Sequence, residues 1–133
     1  MNAAWRLGVA IVAIAILLSL GPSAPQAQAP AVTVGASDLG GVVRSDSGPE
    51  AGVWVIAETT DLPTKFAKIV VTDDQGRYLL PELPKANYSV WVRGYGLVDS
   101  PKVRATPGRI LDLTAVSAPT ASAAAEYYPA QWW

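Results

Sequence analysis

The sequence predicts an all-β fold: a seven-stranded antiparallel Greek-key sandwich, preceded by a signal helix and followed by a short tail with helical bias. Three observations carry that reading. Runs of β-branched and aromatic residues such as Val53–Glu58 (VWVIAE) and Tyr88–Arg93 (YSVWVR) recur through residues 39–115, and such side chains favour a pleated, half-buried backbone. Gly- and Pro-bearing turns separate the runs at intervals of roughly 8–12 residues. No apolar residues repeat between them at the helical period, and the connections are too short for the crossovers that parallel pairing needs.

The chain of 133 residues is long enough for one domain. Met1–Gly8 carries one basic side chain, Arg6; Val9–Leu20 is apolar and uncharged; Gly21 and Pro22 break the run, and small residues with Pro and Gln follow. This is the order of a secretory signal peptide, and the apolar run falls short of the roughly 20 residues of a spanning helix. Residues 1–31 are therefore expected to be a signal peptide, cleaved after Ala29 or after Ala31. Both sites satisfy the small-x-small rule, and Pro30 counts against the first. The expected location is secreted or periplasmic, with membrane contact only during transit of the leader. Removing Arg6 takes the net charge from −1 to −2.

Leu39–Arg44 (LGGVVR) reads as the first strand, ended by the turn Asp46-Ser47-Gly48-Pro49. Val53–Glu58 is the second, followed by the loop Thr59–Thr64. Lys68–Thr72 (KIVVT) is the third, and Asp73-Asp74-Gln75-Gly76 turns tightly into the fourth, Arg77–Leu80. A Pro-bounded connection, Pro81–Asn87, leads to the fifth, Tyr88–Arg93. Lys102–Ala105, the turn Thr106-Pro107-Gly108 and Arg109–Ala115 complete the set. The domain is placed at residues 38–116 and the tail at 117–133. Within the tail, Ala121–Tyr128 is rich in alanine and favours two helical turns, stopped by Pro129.

Composition excludes most chemistry. The chain has no Cys and no His, which removes disulfides, thiolate nucleophiles, Cys/His metal sites and imidazole bases. Lys plus Arg is 10 and Asp plus Glu is 11, so no charge excess steers nucleic acid. The carboxylates are scattered and no G-x-S-x-G occurs, so neither paired-acid nor serine catalysis is supported. Asp73, Asp74 and Gly76 could suggest calcium, but no further acidic residue follows at loop spacing. A structural turn needs only an Asp bonded to its own backbone and a Gly at positive φ. Lys65 or Lys68 with Asn87 could form an internal isopeptide, yet Asn87 at a turn before a strand has a simpler role. No cofactor and no metal are expected.

The segment from Thr72 to Val90 (TDDQGRYLLPELPKANYSV) resembles the signature of the carboxypeptidase regulatory-like domain: T-D-x-x-G-x-Y, a Leu-Pro corner, then Y-x-V. Upstream, Gly41-Val42-Val43 and Pro49-Glu50-Ala51-Gly52-Val53-Trp54-Val55 match its other motifs, in order. The resemblance covers residues 39–115. It implies a transthyretin-like (prealbumin-like) sandwich, with Asp73, Gly76 and Tyr78 building the structural turn. It also implies a non-catalytic module appended to an exported protein, one that packs on a partner protein or a fused domain.

Alternation assigns the aromatic residues. With Val53, Val55 and Ala57 inward, Trp54, Ile56 and Glu58 face outward; with Tyr88, Val90 and Val92 inward, Trp91 and Arg93 face outward. The resemblance puts these strands side by side, so Trp54, Ile56, Trp91 and Arg93, with Tyr95 at the rim, form a candidate binding platform. Tyr127, Tyr128, Trp132 and Trp133 form a candidate docking tail, since indoles in water are costly unless seated. The function expected is an exported accessory or interaction domain and not an enzyme. One alternative is a carbohydrate-binding module using the Trp platform. The other is the N-terminal fragment of a larger exported enzyme.

Overall fold

A computed structural model describes residues 30–127. The leader, with the cleavage site after Ala29, and Tyr128, Trp132 and Trp133 lie outside the described residues. The described residues are all-β apart from one short helix, with strand segments β1 (Leu39–Ser45), β2 (Gly48–Pro49), β3 (Trp54–Thr59), β4 (Phe66–Val71), β5 (Arg77–Leu80) and β6 (Tyr88–Arg93). There follow β7 (Leu97–Val98), β8 (Val103–Ala105), β9 (Arg109–Ile110), β10 (Leu113–Thr114), β11 (Val116–Ser117) and the helix α1 (Ala121–Tyr127).

One sheet has the order β4-β3-β6-β8 and is antiparallel throughout. The second is built around β1, which pairs antiparallel with β5 and β2. A small β7-β11 pair flanks them. The two large sheets share one core: Leu39, Val43, Tyr78, Leu80 and Leu113 from one side meet Val55, Ala57, Tyr88, Val90 and Val92 from the other. The inward residues of β3 and β6 alternate along each strand, as a sheet with one face on the core requires. Phe66 packs its edge on Tyr88 with ring centroids 6.3 Å apart.

The expectation of purely antiparallel pairing needs correction. β1 pairs parallel with β9 (Leu39↔Arg109, Gly40↔Ile110) and with β10 (Val43↔Leu113, Arg44↔Thr114). A parallel pair needs a long crossover, and here the whole intervening domain supplies it. The last strand is also broken. At Leu111 and Asp112 the main chain leaves the ladder; the Leu111 amide still reaches Gly40 O at 2.8 Å, and Asp112 Oδ1 accepts from the Val42 amide at 2.9 Å. Gly41 makes room for this: a Cβ there would meet the Leu111 carbonyl oxygen at 2.2 Å. The Tyr78 hydroxyl donates to that same carbonyl at 2.5 Å.

The Asp73–Gly76 turn joins β4 of one sheet to β5 of the other. Asp73 Oδ1 accepts from the amides of Gln75 and Arg77 at 3.0 and 2.9 Å, and Oδ2 pairs with Arg77 Nε at 2.7 Å. Both oxygens are thus engaged within the chain, and Gly76 has φ 74°. Two buried hydroxyls close other junctions. Thr72 Oγ1 accepts from the Val53 amide at 3.1 Å and donates to Glu50 O at 2.6 Å; Ser100 Oγ accepts from the Val92 amide at 2.8 Å. Buried polar groups persist where they are paired in this way.

Edge strand β4 carries Lys68 opposite Ala57, on the core side, where its ammonium donates to the Pro81 carbonyl. A charged side chain turned inward on an edge hinders strand addition by another chain. With the ammonium so placed and Asn87 bonded to Asp61 through both its amide and Nδ2, at 3.0 and 3.1 Å, Lys68 and Asn87 have separate structural partners. Before β1, residues 30–34 run over the β1–β5 sheet, and Arg77 Nη1 holds the Pro30 carbonyl at 3.0 Å.

Candidate interaction face

The outer face of the four-stranded sheet is set by pairing register. Side chains at paired positions stand on the same side of a sheet. One row therefore runs Val71–Trp54–Arg93, and the next runs Ile69–Ile56–Trp91. A third runs Ala67–Glu58–Ser89–Arg104. Trp54, Ile56, Trp91 and Arg93 are thereby brought together on one face. Tyr95 is not part of it: it sits in the turn between β6 and β7 with 80% of its surface exposed.

Exposure on this face is uneven. Ile69 is 53% and Val71 57% exposed, while Ile56 and Trp91, on adjacent strands, are each only 6% exposed. Trp54 is half-buried. The two indoles that share this outer face therefore differ: Trp54 is half-buried and Trp91 is covered. One contact that covers Trp91 comes from a residue that alternation did not reveal. After β6 the chain turns back through Ser100 and Pro101 and brings Lys102 over the Trp91 ring, with Nζ 4.1 Å from its centroid. Glu58 holds that ammonium in place, Oε1 accepting from it at 2.8 Å. The ring face is thus occupied by a cation. Among the described residues Trp91 Nε1 has no hydrogen-bond partner although it is buried.

Arg93 is fixed as firmly. Its Nε and Nη2 each lie 2.7 Å from the two Asp99 oxygens, a bidentate pair that is part-buried. Asp99 holds the guanidinium pKa up, against the downward push of partial burial, and the charge of Tyr127 adds to the upward effect. Arg93 therefore stands as a rigid, charged border to the apolar strip. The opposite border is β4, where period-two alternation in KIVVT puts Ile69 and Val71 on one face and Val70 on the other. Sequence reading missed Ile69 and Val71 because the run is apolar on both faces, so periodicity does not say which face is covered.

The helix α1 lies beside β7. Thr120 caps it, its Oγ1 accepting from the Ala123 amide at 3.1 Å. Ala123 and Ala124 are half-buried, and Tyr127 is 40% exposed. Among the described residues no helix is long and apolar enough to cross a membrane, and no group of acidic side chains is placed to hold a metal ion. No protein-family model matches the chain, and no curated protein matches it at a significant level.

Proposed function

We propose that this is an exported interaction module without a catalytic site, and that it binds its partner through the outer face of the β4-β3-β6-β8 sheet. The observation that carries this is the apolar strip on that face. Ile69 and Val71, at 53% and 57% exposure, adjoin the half-buried Trp54 and the covered Ile56 and Trp91. Large apolar side chains grouped on an otherwise polar surface mark contact with another protein surface. Rigid borders, Arg93–Asp99 on one side and Lys102–Glu58 on another, give the strip a polar rim. We further propose that the domain is of the carboxypeptidase regulatory-like kind with a transthyretin-like topology. The turn motif from Thr72 to Tyr78, the Leu-Pro corner and the all-β sandwich support that assignment. A secretory leader upstream of residue 30 or 32 accords with both proposals.

A photo-crosslinking residue at position 69, in the exporting cell, tests the reading. A discrete protein adduct is expected at 69, absent at the control position 110 on the other sheet, and lost when Val71→Glu is added. No adduct, or equal labelling at both positions, overturns it. A glycan screen scored by Trp fluorescence covers the carbohydrate alternative. That reading needs an open stacking indole, and the Lys102 ammonium already occupies one of the two candidates; a saturable sugar response would displace the protein-partner reading.

A further inference from the structure

We propose that the partner lays an amphipathic helix along the β4–β3 half of the outer face, with a carboxylate on the flank that faces Arg104. This deepens, and rests on, the reading of that face as the interaction surface.

Strand addition is the rival, because every open sheet edge offers it. The Thr72 amide donates to the Val53 carbonyl at 2.9 Å, and bonding alternates along an antiparallel ladder. Phe66, Lys68 and Val70 therefore bond to β3, and the main-chain groups of Ala67, Ile69 and Val71 face the open edge. A strand added there would have to bring its own inward side chain beside the Lys68 ammonium, which is held on the core side. The other edge, β8, is only three residues long and carries the exposed Arg104. Both edges of this sheet thus turn a partner strand away, and its face is what remains.

Shape favours a helix on that face. The open apolar side chains Ile69 and Val71 stand on β4, beside the covered Ile56 and the half-buried Trp54 on β3. Two strands ~4.8 Å apart make a strip about 10 Å wide, the diameter of one helix. The β6–β8 half of the face carries Ser89, Arg93, Lys102 and Arg104 instead. A second sheet laid flat would cover that half too and desolvate those side chains, whereas a helix lies clear of them. From Ala67 to Val71 the strip runs ~13 Å, more than two helical turns.

Charge fixes the flank. Asp99 holds Arg93 and Glu58 holds Lys102. Arg104 is exposed and forms no hydrogen bond among the described residues. Asp61 is the carboxylate whose charge acts on it, and its Oδ2 is already taken by the Asn87 amide and Nδ2. The face therefore ends in a cation with donors to spare. Arg104 lies two strand spacings from β3, about 10 Å, within the joint reach of an arginine and a glutamate side chain. A rim charge of this kind sets orientation and association rate.

Photo-crosslinking residues placed singly at 67, 69 and 71 of the full chain, in the exporting cell, test this when the labelled partner residues are mapped by mass spectrometry. The ~13 Å from 67 to 71 corresponds to about nine residues of a helix but about four of a strand. The three adducts should fall on one partner segment, with those from 67 and 71 about seven to eleven residues apart. Arg104→Glu should lower the yield at 69 by about threefold or more, Arg104→Gln should lower it less, and Arg104→Lys should keep it. Lys85→Glu, an exposed cation on the loop before β6, should leave it unchanged, as should the urea midpoint of Arg104→Gln leave that of the wild type. Partner residues about four apart, labels scattered over several segments, or a yield indifferent to Arg104→Glu overturn the proposal and leave the interaction face standing. Absence of any adduct at 69 removes both readings.

Discussion

The Lys102 ammonium stands 4.1 Å from the centre of the Trp91 ring. The same nitrogen donates to Glu58 across the face at 2.8 Å. One side chain thereby covers an indole, ties β3 to the chain leading into β8, and sets where the apolar strip ends.

Lys102→Met should remove the cation–ring attraction and the ion pair while keeping most of the apolar stem. The side chain is about half exposed, so a loss of only about 0.5–1 kcal/mol is expected, read from urea unfolding. Lys102→Arg should restore most of it. An unchanged midpoint for Lys102→Met would mean that the contact contributes nothing measurable.

Gly76→Val should be the most damaging change in the β4–β5 turn. Its φ is 74°, and a Cβ would meet the Val43 carbonyl oxygen at 2.6 Å. Strain and clash together should cost about 1–3 kcal/mol or more. Asp73→Ala should cost less, because its ion pair is solvent-screened. Calcium should leave the melting temperature of the wild type unchanged, since both Asp73 oxygens already accept bonds from the chain.

Glu82 is the one non-glycine residue at positive φ among those described, at 52°. A left-handed backbone costs a side-chain-bearing residue about 1–2 kcal/mol, and glycine returns about 0.5–1 kcal/mol of that through unfolded-state entropy. Glu82→Gly should therefore stabilise the domain by about 0.5–1 kcal/mol in thermal or urea unfolding. A destabilised variant would show that the Glu82 side chain makes a contribution larger than its strain.

Stability should fall at both ends of the pH scale, for opposite reasons. Asp61 lies below its ordinary 3.8, held there by hydrogen bonds from the Asn87 amide and side chain. Asp73 is also lowered: partial burial pushes it up, but the Arg77 and Gln75 amides and the Arg77 guanidinium outweigh that. The unfolded chain then takes up protons first, so this contribution is complete well above pH 3.8 and is lost as pH falls through the folded values. Tyr78 is raised above 10.0, first by burial and then by the Asp112 charge, and burial raises Tyr88 likewise. Their contribution is complete below pH 10 and is lost above it. A melting temperature that is level from pH 6 to 9 and falls on either side is expected. Asp73→Asn should flatten the acid limb.

Much of this was legible locally. The strands from Leu39, Trp54, Phe66, Arg77, Tyr88 and Val103 begin within two residues of where turn residues and β-branched runs placed them. The inward set Val53, Val55, Ala57, Tyr88, Val90 and Val92 all join the core, because the two-residue period of a strand assigns faces without reference to the rest of the chain. The helix at Ala121–Tyr127 follows from alanine propensity and Thr120 in the same way.

What a side chain faces is local, but what covers that face is not. Only the tertiary structure laid β9 and β10 parallel to β1, since that pairing joins segments separated by most of the domain. Only it put Lys102 over Trp91 and Lys68 beneath β4, leaving Ile69 and Val71 open on the same face. Alternation along one strand carries no information about a loop arriving from another. The sequence determined which residues stand on each face, and long-range packing decided which of them water still reaches.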